Sequence, residues 1–115
     1  MKTGSYKELI VWQRAMELVE EVYRLTEDFP KEEIYGLTSQ MRRCAVSIPS
    51  NIAEGKMRGT DNEFHRFLSI AFGSAAELET QILLSQRLPG TRHLESAKTI
   101  DLLSEILRMI NALTS

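Results

Sequence analysis

The chain has 115 residues, 43% of them hydrophobic and 26% charged, which is the size of one domain and too apolar for a disordered segment. Its 14 Lys and Arg against 16 Asp and Glu leave a net charge of −2, so a generally basic nucleic-acid binder is not indicated.

Three prolines and six glycines punctuate the chain. Pro30, the stretch from Gly55 to Gly59, and Pro89-Gly90 divide it into four parts of similar length. In the first part Val11, Ala15, Leu18, Val22, Leu25 and Phe29 recur at helical spacing. Trp12, Met16, Val19 and Tyr23 form a second stripe beside them, giving an apolar face wider than a lone surface helix needs. Pro30 ends this helix, because the residue before a proline is pushed out of the α region. The spacing predicts helix 1 over residues 6–29.

The second part repeats the pattern at Ile34, Leu37, Met41, Cys44/Ala45, Ile48 and Ile52. The phase runs straight through Pro49, so one helix over residues 31–55 is predicted, kinked at that proline. An interior proline removes one backbone hydrogen bond and costs about 3 kcal/mol. Nearby Ser and Asn side chains can serve the freed carbonyls. Gly55 or Gly59 then supplies the stop.

The third helix is predicted over residues 61–87. Thr60 and Glu63 fit a capping box, and Phe64, Phe67/Leu68, Ala71, Ala75, Leu78 and Ile82 form its apolar face. The small residues from Gly73 to Ala76 permit close helix approach. The fourth helix, over residues 92–113, carries Leu94, Ala97, Ile100, Leu103, Leu107 and Ile110, with Ile106 and Leu113 alongside. Four amphipathic helices joined by short turns predict an all-α, antiparallel up-down-up-down bundle in a single domain spanning residues 1–115.

The longest apolar runs are four or five residues, as at Leu9 to Trp12, where a spanning helix needs about 20. Glu8 and Arg14 interrupt the early apolar stretch, so no signal peptide is expected. The single Cys44 cannot form an internal disulfide. These features point to a cytoplasmic bacterial protein. Charge is segmental: residues 31–59 carry five basic and three acidic side chains, and no other quarter is net positive. A local basic surface therefore remains open.

Several stretches together carry a resemblance: LIVWQRAMEL, FPKEEIYGLTSQMRRCAVSIPSNIAEG and EFHRFLSIAFGSAAELETQILL. Within them stand Trp12-Gln13, Phe29-Pro30, Tyr35 to Gln40, Arg43, Ser47 to Gly55 and Glu77 to Gln81. They resemble a family of small four-helix bundle proteins whose founding members are encoded within intervening sequences of bacterial 23S ribosomal RNA genes. The resemblance covers nearly the whole chain and is weakest in the last helix. It implies a kinked second helix, assembly into a five-fold ring, and no known catalytic activity. A relative in diversity-generating retroelements partners with a reverse transcriptase and is thought to bind nucleic acid through a basic surface. This chain differs from that relative in being net acidic.

Candidate sites follow from residue type and spacing. Gln40, Arg43, Ser47, Ser50, Asn51 and Glu54 recur every three to four residues, and Glu77, Glu79 and Gln81 can face them from the next helix. Arg43 with Glu77 is the expected charge-assisted pair, in a structural polar network that sets helix register and the kink, the competing reading being a ligand or partner site. Arg42, Lys56, Arg58 and Arg66 are candidate nucleic-acid contacts near the turn between helices 2 and 3. The competing reading is that Lys56 and Arg58 only complement the negative end of helix 2. We read no aromatics interleaved with these charges and expect no single-strand stacking platform.

No metal or other cofactor is expected. The chain lacks Glu-x-x-His motifs, and two histidines with one cysteine do not make a zinc set. Cys44, in phase with the core, reads as a small buried residue. Asp61, His65 and Ser69 match a catalytic triad in composition alone, without a cleft or oxyanion hole, so no enzyme is expected. Trp12, on the double stripe of helix 1, is a candidate oligomer contact, a reading that the family resemblance favours. The expected protein is a non-enzymatic homopentamer that binds RNA, DNA or a nucleic-acid-processing protein. The alternative is an oligomeric scaffold that binds only protein.

Overall fold

The computed structural model describes residues 4–115. It contains four helices, α1 (Ile10–Glu27), α2 (Leu37–Met57), α3 (Asp61–Ser85) and α4 (Ala97–Thr114), and no strand among the described residues. α1 packs on α2 and α4, and α3 packs on the same two helices, so each helix has two neighbours around a shared core. The molecule is rod-shaped, 49 × 23 × 19 Å.

The primary stripe of α1 is core throughout. Val11, Ala15, Leu18, Val22 and Leu25 are buried, and Phe29 follows them into the interior. They meet Met41, Ala45, Ile48 and Ile52 of α2, Leu68, Ala71, Ala75, Leu78 and Ile82 of α3, and Leu103, Ile106 and Ile110 of α4. α3 is by length and composition apolar enough to cross a membrane, with mean hydropathy 1.2 over its best window. In the bundle one face of it is buried as core.

The helix limits differ from the sequence expectation at three places. Residues 6–8 form a separate 3-10 turn, because Leu9 is extended at φ −70° and ψ 125°. Lys31–Glu33 is a second 3-10 turn, and Gly36 at φ −111° and ψ −113° delays α2 until Leu37. There Glu33 Oε1 accepts from the Leu37 N–H at 3.1 Å, setting a carboxylate at the positive end of α2. Residues 86–96 fold into turns in place of the expected start of helix 4. Thr91 Oγ1 donates to the Ser85 carbonyl at 2.6 Å, and Gln86 Nε2 donates to Ser96 Oγ at 2.9 Å. Ile34, expected on the core face, is half exposed because it lies in the linker before α2.

α2 runs unbroken through Pro49, as the phase of its apolar residues predicts. The ring has no N–H for the Ala45 carbonyl. Side-chain donors reach the carbonyls just beyond it: Ser50 Oγ donates to Val46 O at 2.8 Å, and Asn51 Nδ2 donates to Ser47 O at 2.8 Å. Gly59, at φ 85°, stops the helix in the left-handed region that glycine tolerates. Gly55 has another role. A Cβ there would stand 2.5 Å from Phe67 Cβ, so its hydrogen lets the end of α2 close on the start of α3.

Candidate functional site

Three of the four predicted basic contacts gather where α2 turns into α3. Arg58 caps the end of α2, and Arg66 lies in the second turn of α3. Both guanidinium groups lie against the Phe67 ring, at 4.9 Å for Arg58 and 4.5 Å for Arg66. Lys56 Nζ sits 5.6 Å from the Phe64 ring. The expectation that aromatics are absent here is therefore wrong. Phe64 and Phe67 lie in the first two turns of α3 and meet Lys56 and the arginines once the α2–α3 turn closes. They are covered by the cations and the core, and Phe67 is buried, so they orient charges and offer no open stacking face.

Carboxylates also enter this cluster. Arg58 Nη2 donates to Glu54 Oε2 at 2.9 Å, and Arg58 Nη1 donates to Glu63 Oε1 at 3.3 Å. Arg66 Nε donates to Glu63 Oε2 at 2.8 Å. The Glu63 carboxyl is held below its ordinary value, first by the Arg66 hydrogen bond and then by the Arg66 and Arg58 charges, with burial opposing. Arg66 is correspondingly raised by Glu63. The Thr60 cap is present, with Thr60 Oγ1 accepting from the Glu63 N–H at 3.2 Å. Glu63 does not complete the box, because its side chain reaches the arginines instead of the Thr60 N–H.

Arg42 lies elsewhere. It donates through Nε to Thr26 Oγ1 at 2.8 Å and stacks on Tyr23 at 4.4 Å, tying α2 to the end of α1. Sixteen residues of one helix separate it from Arg58, a distance of about 24 Å.

The predicted polar network divides. Gln40, Arg43, Ser47 and Glu77 line one cleft of about 400 Å³ between α2 and α3, together with Cys44 and Ser74. Ser47 and Ser74 share a hydrogen bond of 2.6 Å across the two helices, and Asn51 Nδ2 lies 3.3 Å from Ser47 Oγ. Arg43 and Glu77 share the cleft, but among the described residues they form no ion pair. Glu54 belongs to the basic turn, and Ser50 bonds its own helix. Cys44 is half-buried. Burial first, and Glu77 second, push its thiol above the ordinary value, away from reactive thiolate. His65 and Ser69 line a shallow depression with Phe72 and Ile110, without Asp61.

Trp12 stands half-buried beside α2 and meets Tyr6 edge-on, with centroids 5.3 Å apart. With Met16 and Val19 it borders a mostly apolar groove of about 350 Å³, whose other wall is Val46, Pro49 and Ala53 of α2. The second stripe of α1 thus faces outward while the first fills the core.

A model of the family described as 23S rRNA-intervening sequence protein matches residues 7–112. The chain belongs to that family. No curated protein matches it significantly. In this 23S rRNA-intervening sequence protein, the match begins at the Tyr6–Glu8 turn and takes in all of α1, α2 and α3, with α4 to within two residues of its end. It includes both the basic turn and the Trp12 groove. Sequence reasoning missed the groove's α2 wall. Pro49 was read for its backbone effect, and its buried ring also shapes that wall. The exposure of Tyr35, 96% in the α1–α2 linker, was not foreseen. Its position after a 3-10 turn could not be separated from a helical one by spacing alone.

Proposed function

We propose that this protein is a non-enzymatic ring of four-helix bundles, a homopentamer in the bacterial cytoplasm, that binds nucleic acid through its α2–α3 turns. The reading takes the helices as antiparallel, up-down-up-down, with α2 kinked at Pro49. The observation that carries it is the convergence of Lys56, Arg58 and Arg66 on one turn, ordered against Phe64 and Phe67. One such cluster offers few phosphate contacts. Repeated around a ring it becomes multivalent, and avidity raises the overall affinity. No metal or other cofactor enters this reading.

The test is a titration of the purified assembly into fluorescent structured RNA and duplex DNA at low and physiological salt. Binding is expected to fall steeply with salt, and Arg58→Glu is expected to weaken it by about tenfold or more. No binding at low salt would remove the nucleic-acid role.

A second reading is an oligomeric scaffold that binds only protein. The exposed side chains of Ile34 and Tyr35 favour it. Both readings use Trp12 as a subunit contact. Trp12→Ala is expected to lower the native mass while helical content, followed by circular dichroism, stays unchanged. An unchanged mass would remove Trp12 from the interface.

A further inference from the structure

We propose that Glu63 is a built-in competitor for phosphate. Its carboxylate occupies an oxyanion site formed by Arg58 and Arg66, and a phosphate oxyanion displaces it. The inference rests on the nucleic-acid reading of this turn and names how that site is regulated.

Two guanidinium groups, one ending α2 and one within α3, converge on both oxygens of a single carboxylate. Arg66 Nε reaches Glu63 Oε2 at 2.8 Å and Arg58 Nη1 reaches Glu63 Oε1 at 3.3 Å. Each guanidinium also lies against the Phe67 ring. Contact with the ring restricts their motion, so less side-chain freedom is lost when an anion binds. Glu63 sits at the position where a capping-box carboxylate turns back to the N-cap amide, yet it is spent on the arginines. Glu54 holds the remaining terminal nitrogen of Arg58 from the α2 side.

Arginine forks fit carboxylate and phosphate alike. A phosphodiester brings two free oxygens and one charge, which match what Glu63 supplies. A terminal phosphate brings more of both. These pairs are exposed, so exchange is open to solvent and the internal carboxylate sets a threshold that an entering phosphate must exceed. Weak single phosphates are turned away, and a polymer engaging several turns of a ring prevails through avidity.

The experiment compares wild type, Glu63→Gln and Asp61→Asn as full-length assemblies. Asp61 lies in the same turn of α3, carries the same charge and makes no ion pair among the described residues. Structured RNA is titrated at low and at physiological salt. Inorganic phosphate is titrated in parallel and followed by NMR of the arginine side chains. Glu63→Gln is expected to tighten RNA binding by about five- to tenfold, and Asp61→Asn by less than about twofold.

A gain with RNA alone assigns the site to the nucleic-acid backbone. A gain with inorganic phosphate too assigns it to phosphate from either source. Equal gains in both variants reduce the effect to net charge and overturn the inference. An unchanged Glu63→Gln protein, with wild type still bound through Arg58, overturns the inference and leaves the nucleic-acid reading intact. If no protein binds RNA at low salt, that reading fails, and the phosphate arm alone decides the role of Glu63.

Discussion

Gly55→Ala is expected to destabilise the bundle by about 1–3 kcal/mol, although alanine is the better helix former. The new Cβ would stand 2.5 Å from Phe67 Cβ and 3.3 Å from Phe67 Cγ. A Cβ cannot swing aside as the tip of a long side chain can, so α2 and α3 must separate. Separation loosens the contact that holds Phe67 under Arg58 and Arg66, so the same change is expected to weaken the basic turn. Gly73 provides the control. A Cβ there meets nothing within 4 Å, so Gly73→Ala is expected to stabilise by about 0.5–1 kcal/mol through the unfolded chain. Urea unfolding at one fixed protomer concentration checks both. Equal effects of the two alanines would contradict the close approach.

Leu78→Ala is expected to cost about 2–5 kcal/mol, the larger of the two losses. Leu78 is fully buried in α3, within the core cluster that unites all four helices. Its removal leaves a cavity in that cluster, which the fixed helix backbones keep from collapsing fully. Against a typical stability of about 5–15 kcal/mol, such a loss brings unfolding close to working temperature. Thermal unfolding reads it as a lowered midpoint, and a shift within the range of surface substitutions would show that Leu78 does not lie in the core.

Most of the fold was legible because periodicity reports burial. The stripe from Val11 to Leu25 is buried at every position, and the phase through Ile48 and Ile52 announced a helix that continues past Pro49. The linker at residues 31–36 was not legible, since Ile34 and Leu37 keep helical spacing while Gly36 leaves the helical region. The basic turn was legible as a net-positive segment, but charge counting has no axis. It set Arg42 beside Arg58, whereas the length of α2 carries Arg42 to Tyr23 and Thr26. Arg43 and Glu77 line one cleft, but the expected ion pair between them is absent among the described residues. The contact of Arg58 and Arg66 with the Phe67 ring depends on the closure allowed by Gly55, a tertiary event that spacing within one helix cannot report.

The proposed function stands on the ring, because three cations per chain would bind nucleic acid usefully only when copies act together. Its most direct test is the native mass of the purified protein. A chain of 13.1 kDa in a five-fold ring gives an assembly of about 66 kDa, closed by one repeated heterologous contact. A single species at that mass is expected. A monomer at 13.1 kDa, at concentrations where binding is measured, would contradict it.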